Sequence, residues 1–409
     1  MLHQKLREYA KLLLTSGVNL QKNQTLFISV DVESKEFAYI VTEEAYKMGC
    51  FEVVVNWRSI PVAKQRLLYA RENALIRQPN WLSAYYKTYV DRKSAFLSLI
   101  SANPKAFSEV PPKRLAMQGK SLNDALSFYH QAIMGSQLTW CVASVATLDW
   151  AEALNYTGTN DEKISALWMD MLRLCRLVDV PEEEYITSHL TNLKKRTERL
   201  NALNLEALHY TCSNGTNLTI HLPEGHIWQG GTELANNKIE FNANIPTEEV
   251  YTAPQFNGVN GIVYATKPLI YQGNMIKNFY FKIERGDIIE IHAEKGQEIL
   301  EELISTDFGS HFLGEVALVD HYSPISQSNK IFYETLYDEN ASCHLAIGAA
   351  YPTCIANNEG KSAEQLRDRG INYSMVHVDF MIGHEDMNIV GIKKDKTTVP
   401  IMEHGRLLV

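Results

Sequence analysis

The feature that most limits how this chain folds is the alternation of its first sixty residues between two hydrophobic periods. Residues 6–15 carry apolar side chains at helical spacing, and residues 24–30 (QTLFISV) read as a strand. Residues 35–48 read as a second helix, stopped by Gly49, and residues 51–56 (FEVVVN) as a second strand. Strands joined through helices run parallel, with the helices covering the sheet. Further strands are expected at 95–100 and 139–143.

The texture then changes. Residues 161–203 are helical, polar and rich in Lys, Arg and Glu, and read as a connection. After Leu208 the segment LHYTCSNGTNLTIHLPEGHIWQGG has the Gly, Asn and Thr content and short alternation of a meander of strands and turns. Strands are expected at 261–265, 280–283 and 287–292, and helices at 296–306 and 338–350. The fold class is therefore α/β followed by α+β. A Rossmann-like parallel-sheet domain with its helical connection spans 1–200, and a mainly antiparallel β domain with a few helices spans 201–409. No glycine-rich phosphate loop follows any of the early strands, so nucleotide binding is not expected.

At 409 residues, 45% hydrophobic and 21% charged, the chain is large enough to bury a core without cross-links. Its net charge of -9 and lack of a basic stripe argue against nucleic acid and against anionic membrane surfaces as partners. No uncharged apolar run reaches about 18 residues, the length expected of a membrane-spanning helix. The opening MLHQKLREYAKLLL is interrupted by charges and followed by no small-residue cleavage site, so it is not a signal peptide. Cys50, Cys141, Cys175, Cys212, Cys343 and Cys354 are scattered, with no CxxC pair. They are expected to be reduced and mostly buried, in a cytoplasmic protein.

Four clusters of metal-capable side chains fall in the second half: NIPTEEVYTAP at 244–254, GEVALV at 314–319, SCHLAIGAAY at 342–351 and VHVDFM at 376–381. The last is the most informative. On a strand His377 and Asp379 share one face, while Val376, Val378 and Phe380 pack on the other. A buried polar pair needs a partner, and a metal ion is one. By the same parity only one of Glu248 and Glu249 faces the site. If 338–350 is helical, His344 and Tyr351 lie two turns apart on one side. Taken singly, each His or Glu is better explained as solvated or hydrogen-bonded, and Glu315 fits a salt-bridged core carboxylate equally well. Only the coincidence of all four clusters favours a metal.

The same clusters resemble the aminopeptidase T / aminopeptidase S / PepS family of metalloaminopeptidases. The likeness runs from about His209 to Gly391 through LPEGHIWQGG, NIPTEEVYTAP, ATKPLIYQGNMI, AEKGQEIL, GEVALVD, SPISQS, YDENASCHLAIGAAYP and HVDFMIG. AYKMG, LTWCVASVA and WAEALN extend it more loosely into the first half. The resemblance implies that Glu249, Glu315, His344, His377 and Asp379 are metal ligands. It places Tyr351 beside the metals, with Glu315 and Tyr351 taking part in catalysis. Glu249 is taken over Glu248 because its distance to Glu315 fits the family spacing. Implied too are two divalent ions per chain, a catalytic C-terminal domain, a homodimer, and peptide substrates with a free N-terminus. Zinc, cobalt and manganese all suit three carboxylates and two imidazoles. Another dinuclear hydrolase, such as a phosphoesterase or amidase, and a non-catalytic scaffold are the competing readings.

Overall fold

The computed structural model describes residues 2–178, 185–271 and 274–409. Part of the expected helical connection, at 179–184, lies outside them. Among the described residues no helix is long and apolar enough to cross a membrane. By their contacts the residues form two units. The first comprises Met1–Leu190, Thr232–Pro246 and Ile331–Leu336; the second comprises Thr191–Gly231, Thr247–Lys330 and Tyr337–Val409.

The first unit is built on parallel strands β1 (Thr25–Asp31), β2 (Glu52–Arg58), β3 (Ala95–Ile100) and β4 (Trp140–Ser144), in the order β2-β1-β3-β4. A two-residue strand, Asn244–Ile245, adds in parallel beside β4 from much later in the chain. The order corresponds to one of the common doubly wound arrangements. The strands form where the sequence predicts them because alternate side chains feed two separate cores. On one face Phe27 and Phe96 meet Tyr85, Tyr86, Tyr89 and Tyr129, with Phe27 ring centroids 5.1–5.4 Å from four of its neighbours. Such ring pairs add about 0.5–1.5 kcal/mol each beyond area burial. Near the helices Leu2–Leu12, Lys35–Lys47 and Asn160–Leu174, Tyr9, Phe37 and Trp168 form a second aromatic group. The last of these helices starts at a Thr159/Glu162 capping box, which satisfies two otherwise orphaned N–H groups.

The second unit is mainly antiparallel, as the Gly- and Thr-rich text predicts. A nine-stranded sheet includes Leu205–Thr211, Asn217–His221, Val259–Tyr264, Asn274–Glu284, Asp287–Lys295 and Asn388–Lys393. A separate four-stranded sheet runs β5 (Glu249–Thr252), β6 (Leu313–Val319), β7 (His344–Gly348) and β8 (His377–Met381), each antiparallel to the next.

One element departs from expectation. Residues 338–350 are not a helix: a 3-10 turn at Glu339–Ala341 leads directly into β7. The run carries four alanines, the best helix formers, yet it sits between β6 and β8 with every residue of β7 buried. A strand covered on both faces has no polar alternation to show, and pairing on both edges outweighs local preference. The helical argument for bringing His344 and Tyr351 together therefore fails. Tyr351 lies beyond the end of the strand.

Candidate metal centre

The register of the small sheet decides which side chains meet. Glu315 is opposite Ala346, which is opposite Asp379; Ala317 is opposite His344; Gly348 is opposite His377; Val319 is opposite Glu249. Directly paired residues project to the same face, as do residues two apart on one strand. Glu249, Glu315, His344, His377 and Asp379 therefore all stand on one face. The other face carries Val250, Val316, Leu318, Leu345, Ile347 and Phe380, all fully buried. Phe380 packs with its ring centroid 5.0 Å from that of Phe281. Burial of each such side chain is worth about 1.5–3 kcal/mol, so the apolar face holds the sheet while the polar face is left for chemistry.

Ala317, Ala346 and Gly348 share the polar face with the five and keep its floor low. Two glycines let the strands approach. A Cβ on Gly314 would lie 2.2 Å from the Ala349 carbonyl oxygen. One on Gly348, whose φ is +100°, would lie 2.1 Å from that of Val376.

Two groups result. Glu249, Glu315 and His344 offer ligand atoms within 4.8 Å of one another, and so do Glu315, His377 and Asp379. Glu315 belongs to both: one carboxylate oxygen is 3.4 Å from His344 Nε2 and the other 3.6 Å from His377 Nε2. His344 Nε2 is 3.1 Å from Glu249, and His377 Nε2 is 3.4 Å from Asp379. Ligand bonds of about 2.0–2.2 Å around one ion place neighbouring donor atoms roughly 3.0–3.6 Å apart, so these separations suit a shared cation.

Three further observations test the fit. Nδ1 of His344 lies 3.0 Å from the Ser342 carbonyl oxygen, and Nδ1 of His377 lies 2.7 Å from that of Ala349. Each contact requires the Nδ1 proton, so Nε2 is the atom each ring turns toward the carboxylates, and the one free to ligate once its own proton is displaced. Glu249 Oε2 and Asp379 Oδ1 are buried and accept no hydrogen bond among the described residues, an arrangement that is costly unless a cation sits against them. Charge tells the same story. Burial disfavours protonation of His377, but Asp379 and Glu315 outweigh it and raise its pKa to about 10. Burial pushes the Glu315 carboxyl up against the pull of both imidazoles. The donor set fits divalent ions, and no sulfur competes in it.

Tyr351 sits at the rim, its ring centroid 5.3 Å from that of His377 and 5.7 Å from that of Tyr251. Burial, reinforced by the Glu315 and Asp379 charges, holds its hydroxyl well above the usual tyrosine range, in the protonated form. Glu248 is buried and is not one of the grouped ligand atoms; its N–H donates to Asn340 Oδ1 at 2.6 Å. Glu339 was not singled out in the sequence. Burial raises its carboxyl well above the ordinary range, and the nearby Glu249 and Asp379 charges add to this. The available signal was its position within YDENASCHL, an acid five residues before His344.

Paired imidazoles and carboxylates gathered on one sheet face, around a shared carboxylate, define a metal-dependent enzyme. The chain belongs to the Peptidase M29 family, described as thermophilic metalloprotease (M29), which it matches over residues 2–407. It is thus a peptide hydrolase of the metalloprotease class, and the resemblance read from its motifs is borne out. Aminopeptidase AmpS of Bacillus subtilis (strain 168) is 42% identical over 403 residues, 98% of each chain. Aminopeptidase PepS of Streptococcus thermophilus is 38% identical over 401 residues, 98% of this chain and 97% of the relative. The solved structure of wild-type AmpT from Thermus thermophilus superposes with a TM-score of 0.93 at 33% identity, covering 100% of both chains. A 2,5-dihydroxypyridine dioxygenase from Pseudomonas putida KT2440 shares the fold alone, with a TM-score of 0.52 at 11% identity.

Proposed function

We propose that the protein is an aminopeptidase that hydrolyses the first peptide bond of peptides carrying a free N-terminus, using two divalent ions of zinc, cobalt or manganese. Relatives named as aminopeptidases along the whole chain support the activity. The observation that carries the dinuclear reading is the membership of Glu315 in both ligand groups. Glu249, His344 and Glu315 would hold one ion, and Glu315, His377 and Asp379 the other. Divalent ions, when bound there, would supply Lewis acidity to the scissile carbonyl and to an attacking water. The residues of the chain do the rest. The Ser342 and Ala349 carbonyls hold both imidazoles in the ligating tautomer. The Tyr351 hydroxyl donates to the oxygen that gains charge as the carbonyl carbon becomes tetrahedral. The proton for the departing amine would come from a carboxyl outside the ligand set, for which Glu339, close enough to feel the Glu249 and Asp379 charges, is our candidate, or from the attacking water itself.

We extend the proposal to a division of labour, with 1–200 as scaffold and 201–409 as the catalytic domain, and to a cytoplasmic homodimer. Sedimentation equilibrium tests the dimer. The activity is tested with chelated and metal-reconstituted protein on amino-acid anilides, their N-acetylated forms and a phosphate ester. Metal-dependent turnover of the free anilide alone is expected. Equal turnover of blocked and free anilides overturns the aminopeptidase reading, turnover of the ester alone favours a phosphoesterase, and a fully folded, metal-free, inert protein favours a scaffold.

A further inference from the structure

A second group of metal-ligating side chains lies away from the five. Cys212, His384 and Asp386 offer a sulfur, a ring nitrogen and a carboxylate oxygen within 4.8 Å of one another. Cys212 Sγ is 3.0 Å from Asp386 Oδ1, and His384 Nδ1 is 2.5 Å from the same oxygen. All three are half-buried, with 41% of the His384 side chain and 33% of the Asp386 side chain exposed, so an ion from solvent has access.

The group is assembled from two turns distant in sequence and held still. Cys212 opens the hairpin after Leu205–Thr211, where its N–H donates to the Thr216 carbonyl and its own carbonyl accepts from Gly215. His384 and Asp386 lie in the turn between β8 and Asn388–Lys393. There the Met387 N–H donates to the His384 carbonyl, and the Asn388 side chain donates to the Asp386 carbonyl. Pairing of Thr211 with Asn388 locks the two turns side by side.

We propose that Cys212, His384 and Asp386 form a separate binding site for a single soft or borderline divalent ion, zinc above all, with solvent completing its shell. Thiolate and imidazole select such ions over magnesium or calcium, and three protein ligands plus water make a complete tetrahedral set. On binding, the ion takes the place of the thiol proton, which passes to solvent, and of the hydrogen bonds that now converge on Asp386, while the His384 ring proton moves from Nδ1 to Nε2. The turn it clamps follows β8 but holds none of the five residues of the main centre. Burial lifts the Cys212 thiol to about 11, which makes this affinity fall steeply as pH drops.

Cobalt titration of the full chain tests the site with a signal the main centre does not produce, because its five residues include no sulfur. A thiolate-to-cobalt charge-transfer band in the near ultraviolet is expected, saturating at one ion per chain. It should be absent in Cys212→Ser, with aminopeptidase turnover unchanged. In His384→Gln the band should require roughly tenfold or more cobalt. As a second readout, zinc should protect Cys212 from a thiol reagent in the wild-type protein. No band at cobalt saturation, or a band of equal strength in Cys212→Ser, overturns the proposal, as does a Cys212 labelling rate indifferent to zinc.

Discussion

Glu315 faces two imidazoles with two oxygens, and substitutions there and at its neighbours have different signatures. Glu315→Gln should reduce the content of both ions and lower kcat/KM by more than ~100-fold, since first-contact ligands exceed the 10–100-fold effects of their supports. Glu249→Gln should weaken one ion and leave the other. Metal analysis by mass spectrometry alongside kinetics separates the two cases, and equal loss in both variants would remove the shared role. Tyr351→Phe should lower kcat about 100-fold with little change in KM, as expected of a donor to a developing oxyanion; a change confined to KM would mean a packing role. At this scale the sequence was informative where parity operates. His377 and Asp379 share a face because they are two apart, and apolar neighbours alternate with them. Parity also says that Glu248 and Glu249 diverge, but not which one turns toward Glu315; that Glu249 shares a face with it follows only from the register with Val319. Glu339 sits in a 3-10 turn, where no period marks it.

The strands depend on the segments that deliver them. Asp307 accepts hydrogen bonds from the Met375 N–H at 2.6 Å, the Ser374 hydroxyl at 2.8 Å and the Ser310 N–H at 2.9 Å, and so pins the stretch entering β8. Burial works against its charge, but these donors prevail and hold the carboxyl below the usual 3.8. A carboxyl depressed on folding stabilises above its unfolded pKa and loses that contribution as pH falls through the folded value. The stability gap between wild type and Asp307→Asn, from urea unfolding, should therefore be full at neutral pH and shrink below about pH 3.8. A gap independent of pH would rule out the ionised carboxylate as its source. The strands of the first unit were readable because each carries one face toward each of two cores. β7 was not, since nothing on it faces water and the alanines on either side of it suit a helix as well as a strand.

For the molecule as a whole, three carboxylates gathered on one buried face repel one another unless cations intervene. Chelation should lower both activity and melting temperature, and zinc, cobalt or manganese should restore them. An ion present at about 100 times its Kd contributes roughly 2.7 kcal/mol. Scanning calorimetry before and after chelation measures this, and an unchanged melting temperature would mean that the face is content without ions. The overall plan, a parallel sheet and then antiparallel ones, was visible in the switch of hydrophobic period near Leu208. The return of 232–246 and 331–336 to the first unit was not, because membership there is decided by contacts distant in sequence.

Ala346 lies between Glu315 and Asp379 in the register and presents only a methyl group on the face they share. Its importance lies in the volume it leaves vacant. Ala346→Val suits a strand, removes no donor atom and should unfold as cooperatively as its parent, yet the added methyls would crowd the ground the cations need. Such a protein would keep every ligand and fail to load. Selection at this position is then against bulk rather than for chemistry, and a search for catalytic side chains alone would pass over it.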